Sequence, residues 1–307
     1  MASTESDQMA EFFATVAART KVDLEIITRR DILERQHLLG TEPEGVTYAE
    51  VDADGVPGLW CIPAGCDDDS VLLWNHAGGS VVFSMHSDRK LAGHLGKAAG
   101  VRTLVVDFRR APENKFPAQE DDVATVYRWL LDQGYRAGKI VSGGHSIGGN
   151  LAVRLPLRLR DEGRPLPGAI VTVAGWFDVE LENATLETNA ATDKSLTVPL
   201  MKFFRDAWLG GTGTAYTDPR VNPLHADLGG LPPMNISYGA YEILAGGVVE
   251  FADRAKAAGL DVSLHSVPEG QHLFLFGAGR VPETNAAIAE IGRWIRSKLG
   301  LAARITA

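Results

Sequence analysis

The chain is short of cysteine, of long apolar runs and of basic residues, and each shortage removes a class of answer. Two cysteines among 307 residues, Cys61 and Cys66, cannot build a disulfide framework. They read as reduced thiols in a reducing compartment, with a short-loop disulfide between them as the sharper alternative. No apolar stretch approaches the ~20 residues that a membrane span needs. Residues 1–13 carry acidic and polar side chains where a signal peptide would have its apolar core, so a cytoplasmic protein is expected. Lys and Arg number 30 against 39 Asp and Glu, a net charge of −9. That balance argues against nucleic acid or an anionic membrane surface as a partner. The chain also lacks internal repeats, low-complexity blocks and long linkers. What remains, 45% hydrophobic and 22% charged, is ordinary globular composition. The length admits one large α/β domain with an appended cap, or two modest domains.

Residues 11–39 are helical in pattern, with Phe12, Phe13, Val16, Leu24, Ile27 and Leu38 among charges. Two strand-like runs follow, 46–51 and 58–62. Ala53-Asp54-Gly55 between them signals a tight turn, so an antiparallel hairpin at a sheet edge is expected. Beyond it, apolar runs 71–74, 102–106, 139–141, 169–174, 234–239 and 262–267 alternate with helical stretches such as 119–133, 248–258 and 283–298. That alternation predicts a mostly parallel sheet covered on both faces, with its chemistry at the carboxyl ends of the strands. Residues 180–216 break the pattern: a polar loop, then a helix carrying Met201, Phe203, Phe204 and Trp208. The segment is too long for a simple connection. It is read as an insertion that, with cap helices in residues 1–45, covers a site on the catalytic domain of residues 46–307; the alternative is that its aromatics are plain core.

Gly144-His145-Ser146-Ile147-Gly148 is a G-x-S-x-G motif between a strand-like run, 139–143, and a helical one from Leu151. This strand–turn–helix setting is what a nucleophile elbow requires, since tiny residues two before and two after the serine relieve the strained turn. Ser146 is therefore the candidate nucleophile, the alternative being a structural serine in a tight turn. The helix that follows would favour negative charge at its N-terminus, and Pro156 inside it should bend it. An acyl-transfer serine needs oxyanion donors. The run Asn75-His76-Ala77-Gly78-Gly79-Ser80 after a buried strand offers the N–H groups of Gly78 and Gly79, with a third from Ile147; His76 reads as a loop organiser. In this kind of fold the order is serine, acid, histidine. His225 precedes the acid candidates and His265 alternates within a strand run. His272, in the loop after run 262–267, is the best base. Glu242, just past run 234–239, is the best acid, with a structural carboxylate as the alternative. Glu250 and Asp253 fall on the intervening helix and should be solvated.

These motifs together resemble the bacterial hormone-sensitive-lipase-like esterases, the α/β hydrolase fold-3 group, from about residue 51 to 299. His76-Ala77-Gly78-Gly79 is similar to that family's H-G-G-G. Asp107-Phe108-Arg109-Arg110-Ala111-Pro112-Glu113 is similar to D-Y-R-L-A-P-E, and Gly144 to Asn150 to G-D-S-A-G-G-N. Gly239 to Leu244 is similar to G-S-D-E-V-L, whose glutamate serves as the triad acid. The resemblance implies an eight-stranded α/β-hydrolase sheet flanked by helices, with a helical cap. It also implies Ser146, Glu242 and His272 as triad, Gly78, Gly79 and Ile147 as oxyanion hole, and no metal or organic cofactor. Relatives often dimerise through an exposed sheet edge, so a homodimer stays open. Departures fall at Ala77, which replaces the first glycine of H-G-G-G, beside the nucleophile, where His145 replaces an aspartate and Ile147 an alanine, and beside Glu242, where Tyr241 and Ala245-Gly246-Gly247 replace acidic residues. The charges of 107–113 are expected to brace their loop.

The activity so implied is carboxylesterase action on short or medium acyl esters. The stretch Asp54-Gly55-Val56-Pro57-Gly58 and the acid motif also look like those of ε-lactone and monoterpene-lactone hydrolases. A binding-only role, as in plant gibberellin receptors that have lost the triad histidine, is opposed by His272; acyl transfer requires exclusion of water. Phe83, Met85, His145, Phe204 and Trp208 are the candidate pocket residues, with core packing as their alternative.

Overall fold

The architecture is that of a computed structural model describing residues 2–21 and 23–302; Met1, Val22 and 303–307, which belong to the expected cap and catalytic ranges, lie outside the described residues. Among the described residues eight strands form one sheet: β1 (Val46–Ala53), β2 (Val56–Pro63), β3 (Asp67–Asn75), β4 (Val101–Val106), β5 (Ile140–His145), β6 (Ala169–Val173), β7 (Met234–Gly239) and β8 (Val262–Val267). Their spatial order is β1-β2-β4-β3-β5-β6-β7-β8. The first two pairings, β1 with β2 and β2 with β4, are antiparallel and the remaining five are parallel. The edge hairpin turns on Asp54 and Gly55, both at positive φ (59° and 86°), the backbone that a two-residue turn matching strand twist demands.

The helices are α1 (Thr4–Arg19), α2 (Ile26–Glu34), α3 (Met85–Ala99), α4 (Ala118–Asp132), α5 (Ile147–Asp161), α6 (Thr185–Thr188), α7 (Val198–Leu209), α8 (Ala245–Ala257) and α9 (Pro282–Leu299). Alternate strand residues feed two faces. Leu72, Trp74 and Val141 join the core beneath α3 and α9, whereas Leu73, Ile140 and Ile170 join the cores beneath α4, α5 and α8. Central strands buried on both faces explain why their sequences read as continuous apolar runs.

Residues 11–39 do not form one helix. Helix α1 stops at Arg19, and α2 with a 3-10 turn at Arg35–Leu39 follows. The break is held by Arg29, a buried guanidinium that donates to the carbonyls of Thr20 (2.8 Å) and Lys21 (2.5 Å) and so satisfies acceptors left open where α1 ends.

Helix α5 runs unbroken past Pro156. Proline has no N–H for the carbonyl four residues back, which is that of Ala152. The hydroxyl of Ser142 on β5 donates to that carbonyl at 2.9 Å, so the sheet supplies the hydrogen bond that the helix lacks.

Candidate active site

Ser146 sits between β5 and α5 at φ 60°, ψ −120°, a backbone conformation that a non-glycine residue holds only when its surroundings enforce it. Those surroundings are tight. A Cβ on Gly144 would lie 2.1 Å from the Gly148 carbonyl oxygen, and one on Gly148 would lie 2.0 Å from the Asn75 carbonyl oxygen. The Ser146 N–H donates to the Val173 carbonyl (2.9 Å), and the Ser146 carbonyl accepts from Trp176 (3.1 Å). Strand ends on both sides thus grip the turn.

His272 follows β8 and Glu242 follows β7. The hydroxyl of Ser146 lies 2.9 Å from His272 Nε2, and the opposite ring nitrogen, Nδ1, contacts Glu242 Oε2. Both partners are buried. Burial disfavours imidazolium and holds His272 down to about 4, with Asp193 opposing the shift. The ring is therefore neutral at neutral pH, its Nε2 lone pair free to take a proton. Burial, reinforced by the Asp193 carboxylate, pushes Glu242 well above the usual carboxylate range. Serine, imidazole and carboxylate in this line can move a proton from hydroxyl to ring while the carboxylate balances the charge created.

The turn after β3 faces this line. Gly78 (φ 107°) and Gly79 (φ 60°) have backbone signs that suit glycine. Their space is closed as well: a Cβ on Gly78 would meet the Val82 carbonyl oxygen at 2.0 Å, and one on Gly79 the Phe204 ring at 2.6 Å. Among the described residues, no protein acceptor takes the N–H groups of Gly78, Gly79 or Ile147. Ile147 is the first residue of α5, where the helix leaves that donor open. Gly78, Gly79, Ser146 and His272 line one cavity of about 40 Å³, walled by apolar groups that include Phe83, Trp176, Leu196, Met201 and Phe204. A larger cleft of about 580 Å³ lies elsewhere, lined by Glu120, Arg154 and Arg158, and holds no nucleophile–base pair.

Of the five expected pocket residues, Phe83 and Phe204 line this cavity. Three are elsewhere. Met85, at the start of α3, borders a separate shallow groove with Glu50 and Pro57. Trp208 is buried behind the wall, edge-on to Phe116 and tilted against Trp176, its indole N–H donating to Gln119 Oε1 (3.1 Å). His145 is buried on β5, its Nε2 2.9 Å from the His272 carbonyl oxygen. Burial takes its pKa down to about 3, with His272 adding to the fall. A strand residue next to the elbow points into the layer beneath the base, which the G-x-S-x-G motif does not reveal.

The other histidines weighed in the sequence lie away from the triad line. His76 stacks on Phe108 (centroids 4.0 Å apart), its Nδ1 2.7 Å from the Ala77 carbonyl oxygen. His225 pairs with Glu180 and His265 with Glu290, both near the surface. Glu250 and Asp253 are solvated on α8. The charges of 107–113 brace their loop: Arg109 forks onto Asp122, Asp107 accepts from the Met85 N–H (3.0 Å), and Arg110 donates to the Phe83 carbonyl (2.8 Å). Cys61 and Cys66 are both free thiols. No helix among the described residues is long and apolar enough to cross a membrane, and no metal-binding cluster of His, Cys, Asp or Glu occurs among them.

Sequence reasoning missed Trp176, Leu196 and Met201 as cavity walls. It also missed the polar segment 189–196, whose Asn189 donates to the carbonyls of Ala240 (3.0 Å) and Glu242 (2.9 Å). Polar residues in a long insertion carry no periodic signal that would mark them.

A family model described as the alpha/beta hydrolase fold matches residues 72–276. An acetyl-hydrolase of Streptomyces hygroscopicus is 35% identical over 241 residues, 78% of this chain and 80% of its own length. An esterase of Acinetobacter venetianus is 27% identical over 289 residues, 92% of this chain and 93% of its own. A crystal structure of an esterase from the bacterial hormone-sensitive lipase family aligns with a TM-score of 0.93 at 35% identity, covering 98% of this chain and 100% of that one. A hormone-sensitive lipase from a metagenome library aligns at 0.91 and 28% identity, covering 97% and 99%. The chain belongs to the α/β hydrolase fold family, among the esterases of the bacterial hormone-sensitive lipase type.

Proposed function

We propose that this ester-bond hydrolase is a serine carboxylesterase acting through an acyl-enzyme on esters of short acyl groups. Ser146 Oγ attacks the ester carbonyl as His272 Nε2 takes its proton. Glu242 holds the ring through Nδ1 and offsets the imidazolium charge. The N–H groups of Gly78, Gly79 and Ile147 bind the oxyanion, at the positive end of α5. His272 then returns the proton to the departing alcohol oxygen. A water, deprotonated by the same nitrogen, attacks the acyl carbonyl; the acyl–serine bond breaks, His272 returns the proton to Ser146 Oγ, and the acid is released.

The observation that carries this reading is the line Ser146–His272–Glu242, opening into the same cavity as the two glycines. The cavity's small volume favours the short end of the acyl range, as does the acetyl-hydrolase among the relatives. Residues 1–45 and 180–216 act as the cap in this account. Leu33 and Gln36 from the first segment and Leu196, Leu200, Met201 and Phe204 from the second close the cavity from above.

Aryl esters of graded acyl length, assayed beside ε-lactones, test the substrate class. Highest kcat/KM on acetyl to butyryl esters is expected, and a preference for lactones over every ester would replace the reading with lactone hydrolysis. Ser146→Ala should abolish turnover without loss of fold.

A further inference from the structure

Glu242, a carboxylate that burial and the Asp193 charge both push upward, is held by a segment that the mechanism above does not use. Residues 189–196 of the insertion lie against the acid turn and the base loop. Asn189 donates to the carbonyls of Ala240 and Glu242, and the Thr192 hydroxyl donates to that of Tyr241 (3.1 Å). Gln271, beside the base, accepts from the Lys194 N–H (2.7 Å) and donates to the Thr192 carbonyl (3.1 Å). At the centre is Asp193, itself buried. Its Oδ1 accepts from the Ser195 N–H (2.8 Å), the Ser195 hydroxyl (2.9 Å) and the Leu196 N–H (2.9 Å); its Oδ2 accepts from the Ile243 N–H (2.9 Å).

One oxygen therefore holds the cavity wall, since Ser195 and Leu196 line it, and the other holds the residue after Glu242. We propose that Asp193 is a positioning residue that locks the acid turn to the substrate-cavity wall and sets the charge environment of the His272–Glu242 pair. This rests on the triad reading. An ionised oxygen accepting several N–H and O–H donors makes charge-assisted bonds that are shorter and stronger than neutral ones. An asparagine could not replace it on both sides: its NH₂ would oppose either the Ile243 N–H or the Ser195 and Leu196 donors. The titratable groups that bear on the pair are Asp193 from the insertion and His145 from β5. Asp193 is the anionic one. Its charge favours the imidazolium that forms as Ser146 loses its proton, so its removal makes His272 a weaker base.

The test compares Asp193→Asn and Asp193→Glu with the unsubstituted enzyme on p-nitrophenyl acetate. Asp253→Asn, the same charge change at an exposed site on α8, and Ser146→Ala complete the set. Asp193→Asn should lower kcat about tenfold or more and move the acid limb of the kcat/KM profile to lower pH. Asp193→Glu keeps the charge but displaces the four-donor geometry, so kcat should fall with the acid limb left in place. Asp253→Asn should change neither. Folded Asp193→Asn with unchanged kcat and acid limb would overturn the proposal. Should that variant not fold, unchanged kcat in Asp193→Glu overturns it instead. Ser146→Ala separates the two readings, because turnover surviving there removes the triad whatever Asp193 does.

Discussion

Gly148→Ala puts the nucleophile elbow under a defined load. The added methyl would sit 2.0 Å from the Asn75 carbonyl oxygen and 2.7 Å from that of His76, where real contacts of this kind stay above 3.0 Å. At least 3.0 − 2.0 = 1.0 Å must be found. The obstacle is backbone on the Asn75 side and helix α5 on the other. Asn75 cannot retreat freely, because its Nδ2 donates to the Gly143 carbonyl (3.1 Å) and its chain continues directly into Gly78 and Gly79. Either Ser146 or the oxyanion turn must shift, and a misplacement of about 1 Å costs roughly 100-fold in rate. Overpacking should also lower stability by about 1–3 kcal/mol. The assay is kcat/KM on p-nitrophenyl acetate with a thermal melt, beside Gly138→Ala, where a Cβ would meet nothing within 4 Å. Wild-type kcat and Tm in Gly148→Ala would refute the reasoning.

Other consequences can be measured as directly. Ser142→Ala should cost about 1–3 kcal/mol in urea unfolding by orphaning the Ala152 carbonyl; adding Pro156→Ala should recover much of it by restoring an N–H, and strictly additive effects would exclude that coupling. Phe204→Ala removes a cavity wall and should raise the octanoyl-to-acetyl kcat/KM ratio about tenfold, an unchanged ratio arguing that the acyl group lies elsewhere. His76, His145 and His272 sit at about 4, 3 and 4 when folded against 6.5 when free. Between those values the unfolded chain binds the extra protons, so stability should fall as pH drops below 6.5 and level off once the folded values are passed. A flat denaturation midpoint across that window would show the rings are not held neutral. For the same reason the acid limb of kcat/KM should lie near 4, not 6.5.

The parts of this molecule that were legible in sequence are those with a local cause. Central strands buried on both faces must be apolar throughout, so they could be read as runs, whereas the edge strands β1 and β8 are only partly buried and mix polar residues in. The Asp54-Gly55 turn and the Gly144–Gly148 elbow announce themselves because only certain residues tolerate their backbone. Glu242 and His272 followed from strand order and family pattern. What escaped notice depends on partners far along the chain. The split between α1 and α2 depends on where the Arg29 guanidinium lands. The direction in which His145 and Trp208 point is set by layers that periodicity does not describe, and neither lines the cavity. Asp193 meets Ile243 across 50 positions of sequence, with no spacing rule to predict it.

On the proposed mechanism Ser146 carries the acyl group. Mass spectrometry of the enzyme quenched in acid during turnover of p-nitrophenyl acetate, followed by peptide mapping, tests it most directly. One acetyl adduct is expected, on the peptide containing Ser146, absent from Ser146→Ala. An adduct on another residue, or full turnover by Ser146→Ala, would contradict it.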